Sequence, residues 1–343
     1  MRFVAVGICC LLGGLTLGFA PAMAGTCPGN PNALGVSRTI TVDPAAIALI
    51  GSMQYRTTLP LNDHEVVLTF DDGPLPPYTN SILETLAAEC VKVTYFLVGR
   101  MATAYPDAVR RIYNAGHSIG THSQNHPLTF NQMAMPRIES EVGAGIASVQ
   151  AALGDPRALS PFFRIPGLLR SPQVESYLAS KSLAVWSADE VADDWYKGVT
   201  AQQIVRKAMS RIETHEHRGV LLLHDIHPAT AMALPILLRE LKVHGYKIVQ
   251  AVPAGERPKS VPENASPLVA DASGGWPRVA KTSHIKTSDR RAERPVRVAS
   301  LRHGKRLTHR VRERDPDVTA SIATKKRKTI TAESATGWTL FRR

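Results

Sequence analysis

Several things are scarce or missing. No glycine-rich phosphate loop follows any strand-like run, which argues against a doubly wound nucleotide-binding sheet. Aromatic residues make up only 6% of the chain. They are not interleaved among the clustered lysines and arginines near the C-terminus, so the stacking platforms of a single-stranded nucleic-acid binder are lacking. Only four cysteines occur. Cys9 and Cys10 fall in an apolar N-terminal run, which leaves Cys27 and Cys90. An oxidising compartment would let that pair close into one disulfide, clipping the N-terminal segment onto the core. A lipidation box is also absent, because Ala24 stands three positions before Cys27 where a leucine-like residue is needed.

Positive charge is plentiful but unevenly placed. The formal net charge is +12. From Arg257 onward there are about 21 Lys/Arg against about 8 Asp/Glu, so the rest of the chain is near neutral. Residues 253–343 are rich in Pro, Ser, Thr and Ala as well as basic residues, with Lys325-Lys326-Arg327-Lys328 the densest cluster. Such a segment buries too little apolar area to offset its ordering entropy and is expected to be disordered. It suits electrostatic association with anionic envelope polymers rather than specific nucleic-acid recognition. Residues 1–24 read as a secretory signal: Arg2, an apolar stretch from Val4 to Phe19, and Ala22-Met23-Ala24 as a cleavage site. An uncleaved anchor helix is the alternative. The expected location is secreted or periplasmic, with no membrane span once the signal is removed.

Residues 25–63 mix Pro, Gly and Asn with scattered apolar residues and read as an arm laid over a domain. Residues 64–252 then alternate. Strand-like runs are Val66–Phe70, Lys92–Leu97, Ser118–Thr121, Phe162–Ile165, Leu183–Trp186, Val220–Leu223 and Lys247–Gln250. Between them lie helix-like stretches at Thr79–Glu89, Pro106–Asn114, Arg137–Leu153, Pro172–Ser180, Ala201–Glu213 and Leu234–His244. Strand–helix alternation argues for a parallel sheet with crossover helices. About seven such strands favour an α/β barrel.

Five of these runs end in chemically useful residues, and in parallel α/β folds the ligand site lies beyond the strands' C-terminal ends. Val66-Val67-Leu68-Thr69-Phe70 stops at Asp71-Asp72, then Gly73-Pro74 turns the chain. The two carboxylates repel unless a cation lies beside them, or else they simply cap the next helix. His122 and His126, four apart after Ser118–Thr121, are ordinary loop histidines or can face one ion. With Asp72 they make two nitrogens and one oxygen, the open set of a catalytic zinc-type site. Arg164 is a bidentate partner for Asp71 or the donor of a surface ion pair. Asp193-Asp194-Trp195 sets a carboxylate beside a flat ring, which is a sugar platform or partly buried core. His224 closes the apolar Leu221-Leu222-Leu223 run as a structural or a catalytic histidine.

Taken together, Thr69-Phe70-Asp71-Asp72-Gly73, His122-Ser123-Gln124-Asn125-His126, Arg164-Ile165-Pro166, Asp194-Trp195 and Leu222-Leu223-His224 resemble, in order, the five motifs of polysaccharide deacetylases, the NodB-homology domain of carbohydrate esterase family 4. The resemblance spans Glu65 to Val252 and implies a distorted (β/α) barrel. It implies that Asp72, His122 and His126 bind a divalent metal, zinc foremost, with cobalt or another ion as alternatives. Asp71 would be the general base tethered by Arg164, and His224 the general acid held protonated by Asp194. Gly167 N–H would be an oxyanion donor, Leu222 would line the acetyl-methyl pocket, and Trp195 would contact the sugar. The implied reaction removes N-acetyl groups from an acetylated amino-sugar glycan. An O-acetyl esterase or amidase on the same barrel, or a non-catalytic basic polymer binder, is the rival. Two departures stand out: Gly167 is preceded by Pro166 and followed by Leu168-Leu169 without the usual aromatic, and extra residues separate Asp189-Glu190 from Asp194-Trp195.

Overall fold

The computed structural model describes residues 27–263. The expected signal (1–24) and the tail beyond residue 263 lie outside the described residues. In chain order the elements are β1 (Arg38–Val42), β2 (Leu49–Ile50), β3 (Glu65–Asp71), α1 (Tyr78–Ala88), β4 (Thr94–Leu97), α2 (Gly99–Ala104), α3 (Pro106–Asn114), β5 (Ser118–Thr121), α4 (Met135–Leu153), β6 (Phe162–Arg164), α5 (Pro172–Ser180), β7 (Ala184–Trp186), β8 (Glu190–Val191), α6 (Ala201–Thr214), β9 (Gly219–His224), α7 (Pro228–Val243) and β10 (Lys247–Pro253). No helix among the described residues is long and apolar enough to cross a membrane.

Every strand pair is parallel. The order runs β1-β10-β3-β4-β5-β6-β7-β2, with β9 also on β3 and β8 beyond it. The sheet curls until its ends meet. Met53 N–H donates to the Ala188 carbonyl (3.0 Å). Gly51, at φ +112°, lies so close that a Cβ there would sit 2.6 Å from Ala188 N, so only glycine fits. The result is a distorted (β/α) barrel.

β3, β4, β6 and β7 are buried at every position and β9 at all but its last, which is why they read as mainly apolar runs. Their two-residue period still sorts side chains. Val66, Leu68 and Phe70 of β3, with Leu221 and Leu223 of β9, face out beneath α1, α6 and α7. Val67, Val220, Phe96, Phe162 and Trp186 point in and fill the barrel. Thr69 and Asp71 continue the inward column above Val67, and His224 continues the one above Val220 and Leu222. Gly120 of β5 is the inward position beside them: a Cβ would meet Phe162 O at 2.7 Å and Phe96 Cδ1 at 3.0 Å.

Helix ends follow local chemistry. Pro106, Pro172 and Pro228 open α3, α5 and α7. Thr200 and Gln203 form a reciprocal capping box on α6, and Gly154 closes α4 at φ +76°.

Three features differ from the sequence reading. The segment before residue 64 supplies β1 and β2, pairing with β10 and β7. Ile40, Val42 and Ile50 are buried against the inner barrel layer, so this stretch is part of the sheet rather than a cover over it. α7 begins at Pro228, six residues before the apolar period at Leu234, because Thr230 and Ala231 are small but buried. The chain also stays fixed beyond Val252. Val261 is 3% exposed, its N–H donates to Asn114 Oδ1 (2.8 Å), and its carbonyl accepts from Asn114 Nδ2 (3.0 Å). One amide side chain thus satisfies both backbone groups of a lone apolar residue, and the ordered body extends past the point where the pattern fades. At the other end, Cys27 is bridged to Cys90, 63 residues on, fastening the first described residue beside the end of α1.

Candidate active site

The mouth of the barrel is built where strands stop. β3 ends with Asp71 inward. The next residue, Asp72, takes φ +78°, a left-handed conformation that costs a non-glycine residue and concentrates at functional sites. That turn brings a second carboxylate to the same mouth. Gly73 follows with no room for a side chain: a Cβ would lie 2.1 Å from the buried Asp225 carboxylate. Beyond β5, Ser123 (φ +62°) and His126 (φ +56°) fold the histidine segment back on itself. Ser123 Oγ accepts the His126 N–H (3.0 Å), and the two imidazole rings come within 4.7 Å.

Asp72, His122 and His126 each offer one ligand atom, all within 4.8 Å of one another. Asp72 Oδ1 is 3.3 Å from His126 Nε2 and 3.6 Å from His122 Nε2. A tetrahedral ion with bonds of about 2.0–2.1 Å spaces its ligands by about 3.3–3.4 Å. Asp72 Oδ1 is also buried with no hydrogen-bond partner, an arrangement that is costly unless a cation fills the gap. His122 Nδ1 donates to the Arg164 carbonyl (2.7 Å), which leaves Nε2 as the lone-pair atom turned to Asp72. Burial, only partly opposed by Asp71, lowers His122 to a pKa of about 4, so the ring is neutral. For Asp72, burial pushes toward the acid, but the surrounding histidines, His126 first, outweigh it and hold the carboxyl below its usual range. A neutral imidazole and an anionic carboxylate are the ligand forms a divalent metal requires, so the residues present fit one.

Two flanks frame this cluster. On one, Arg164 is fully buried and Nη1 donates to Asp71 Oδ1 (2.6 Å) and Thr69 Oγ1 (2.8 Å), while Nη2 donates to Ser187 O (2.8 Å). Its guanidinium lies 4.2 Å over the Phe96 ring. On the other flank, His224 Nδ1 meets Asp194 Oδ1 (2.8 Å), and Asp194 Oδ2 accepts from His224 N (2.7 Å) and Thr230 Oγ1 (2.6 Å). Burial pulls the His224 ring toward neutrality. The charge and hydrogen bond of Asp194, backed by Asp72 and Asp71, overcome it and raise the pKa to about 10. The flanks are neighbours, because Asp71 and His224 are register partners.

The remaining candidates are dispersed around this centre. Leu222 is 3% exposed and shares the inward face of β9 with His224. Trp195 is half-buried with its ring 5.5 Å from that of His224. Gly167 (φ +59°) sits on an exposed turn next to Leu128. The neighbouring carboxylates are engaged elsewhere: Asp193 pairs with Lys207 and Arg211, and Asp189 accepts from Ser52, Thr58 and Val220 N. Sequence reasoning assigned no role to Asp225, Thr230 or Ser187. Asp225 is fully buried under the Gly73 turn, accepts from Thr79 Oγ1 (2.6 Å), and is raised by that burial to about 7. A carboxylate directly after a buried strand was the available signal for Asp225. For Thr230 and the Ser187 carbonyl there was none.

Residues 59–186 match the family model for polysaccharide deacetylase. The chain is 33% identical over 203 residues to a peptidoglycan-N-acetylglucosamine deacetylase of Bacillus cereus, covering 57% of this chain and 70% of that protein. The chain belongs to the polysaccharide deacetylase family. It is also 32% identical over 188 residues to the peptidoglycan-N-acetylglucosamine deacetylase PgdA of Listeria monocytogenes, covering 54% of this chain but only 37% of that relative's length. Among solved structures, a peptidoglycan deacetylase of Bdellovibrio bacteriovorus superposes with a TM-score of 0.56 at 29% identity, covering 64% of this chain and 59% of that one. The deacetylase family's barrel is therefore the fold on which the Asp72–His122–His126 cluster stands.

Proposed function

We propose that the protein is a divalent-metal-dependent hydrolase that removes N-acetyl groups from an amino-sugar glycan, with the barrel from β1 to β10, residues 38–253, as its catalytic domain. The observation that carries this reading is a single mouth holding the Asp72–His122–His126 cluster between Asp71–Arg164 and His224–Asp194. Asp72, His122 and His126 would hold the divalent ion, zinc foremost, which would supply Lewis acidity and lower the pKa of water toward about 7. Arg164 holds Asp71 through Oδ1, which leaves Oδ2 to take a proton as water attacks the acetamide carbonyl. Gly167 N–H, in the role the family suggests, meets the oxygen as it becomes anionic, an interaction worth about 3 kcal/mol. His224, charged through Asp194, gives its proton to the departing nitrogen, which otherwise leaves as a very poor anion. Leu222 lies against the acetyl methyl and Trp195 against the sugar. One water is consumed, and acetate and a free amine are released.

The relatives' peptidoglycan substrates support a cell-wall glycan and a site of action outside the cytoplasm. The Cys27–Cys90 bridge supports an oxidising compartment. The basic tail would hold the enzyme near anionic envelope polymers. Acetate release from a panel of N-acetylated and O-acetylated glycans, with and without chelator, tests the whole reading. Turnover of the N-acetylated members that chelator abolishes and zinc or cobalt restores is expected. Release confined to O-acetyl groups would replace the amide hydrolase with an esterase, and chelator-insensitive turnover would remove the metal.

A further inference from the structure

A second feature leads away from the catalytic mouth. The Trp195 ring, in contact with His224, lies 5.4 Å from the ring of Tyr196, which is 54% exposed. From Tyr196 an open groove of about 920 Å³ runs along α6 past Lys197, Gln203, Arg206, Lys207, Ser210 and Arg211. Helical spacing produces this: Gln203, Lys207 and Arg211 are four apart, and Arg206 and Ser210 form the adjacent row. Four cations line it. Lys207 and Arg211 share Asp193 (2.6 and 2.9 Å), and Lys207 Nζ lies 5.6 Å from the Tyr196 ring centre. Lys197 and Arg206 are exposed and have no ion-pair partner among the described residues. Asp193, Glu213 and Glu190, whose charge reaches Arg211, are the groove's acidic neighbours, three against four cations, so it remains net positive.

We propose that this groove is an extended subsite of the deacetylase inferred above and that it takes an anionic glycan strand, one carrying carboxylates along its sugar backbone. The proposal rests on that deacetylase reading for the reaction, but on the groove's own residues for the ligand. Two aromatic rings in series link His224 to the groove, so a strand seated at the mouth continues over Tyr196 onto α6. Flat rings suit sugar faces, and unpaired cations are what a neutral glycan would not require.

The test is equilibrium binding by the full-length, metal-loaded protein of two soluble ligands of equal length. One is a neutral N-acetylglucosamine oligomer and the other a glycan strand bearing carboxylates. Wild type is compared with the double variant Lys197→Gln, Arg206→Gln. Both side chains are exposed and lie outside the Asp193 pair, so folding is not at stake, and thermal unfolding checks it. The tail is present in both proteins, so the difference reports the groove. The variant is expected to lose about fivefold in preference for the carboxylated strand over the neutral one at low salt, a loss that fades as salt rises. Replacing both with Glu should deepen it. An unchanged preference, or equal weakening toward both ligands, overturns the proposal. Binding does not depend on turnover. A wild type that prefers the carboxylated strand yet releases no acetate from either ligand would therefore sink the deacetylase reading and leave the groove standing.

Discussion

The two flanks of the Asp72–His122–His126 cluster use the same kind of contact for opposite ends. On the β3–β6 side a buried cation, Arg164, holds an anion, Asp71. On the β9–α7 side a buried anion, Asp194, holds a cation, His224. Arg164 is immersed in the barrel, with three acceptors and an aromatic face around it; burial lowers its pKa, and Asp71 beside it opposes the loss of charge. His224 is a group whose charge is conditional, lifted to about 10 by its neighbours. In the proposed mechanism the Asp71 flank is therefore a structural fixture and the His224 flank a proton reservoir. Loss of Arg164 should be read mainly in stability, and loss of Asp194 in pH dependence.

The largest effect should come from removing the proposed proton-transfer groups themselves. Asp71→Asn and His224→Gln should each lower kcat by about 10²–10⁴, while both proteins still hold one metal per chain by elemental analysis. His126→Ala should instead lose metal, with activity returning only at high added zinc. Full metal content in His126→Ala would remove that histidine from the ligand set, and normal turnover in Asp71→Asn would remove the base.

Next come the partners. Arg164→Met strips a fully buried carboxylate partner and abandons Thr69 Oγ1 and the Ser187 carbonyl. Breaking a buried pair of this kind costs about 3–5 kcal/mol, and chemical denaturation should show it. Asp194→Asn should be milder in stability and sharper in pH. With His224 as the proposed acid its active form is protonated, so kcat/KM should fall as pH rises through its pKa. Losing the Asp194 charge lowers that pKa from about 10, and the alkaline limb should move to lower pH. A cation bound at Asp72 would cancel that carboxylate's share of the shift and move the limb lower. The stability sign follows from the same displacement. A histidine raised from about 6.5 to about 10 contributes stability that is complete below 6.5 and lost as pH climbs through 10. Thermal unfolding between those limits should decline more steeply in wild type than in Asp194→Asn.

The flanks were not equally legible before the fold was seen. Strands buried on both faces leave mainly apolar runs, and proline-opened helices such as Pro106–Asn114 and Pro172–Ser180 announce their starts. α2 went unread because Gly-Arg-Met-Ala-Thr-Ala has no apolar period. It is held by close backbone approach, with a Cβ on Gly99 falling 2.9 Å from Gly145 Cα. β2 and β8 are two residues each, and only the neighbouring strand defines them. At the site, side chains adjacent in sequence were readable, as with Asp71-Asp72 and His122 with His126. What orients them was not. The Arg164 carbonyl on His122, the Ser187 carbonyl on Arg164 and Thr230 on Asp194 arise only when distant strands close into a barrel, and backbone carbonyls leave no trace in composition.

Thr230 supplies the smallest and most discriminating test of the contrast. Asp194 Oδ1 serves the His224 ring, while Oδ2 has two donors, His224 N and Thr230 Oγ1. Thr230→Val keeps the shape, leaves Asp194 charged, and leaves Oδ2 one backbone donor. The expected loss is about 1 kcal/mol of stability, with kcat down by no more than a few-fold. The alkaline limb should stay put or drift slightly upward, because a carboxylate with one donor fewer holds the imidazolium proton more tightly. If Thr230→Val instead moved the limb downward as far as Asp194→Asn does, the hydroxyl would be fixing the carboxylate's position rather than sharing its charge. The acid flank would then depend on rigid placement, as the Arg164 flank does, and the distinction between the two sides would fall.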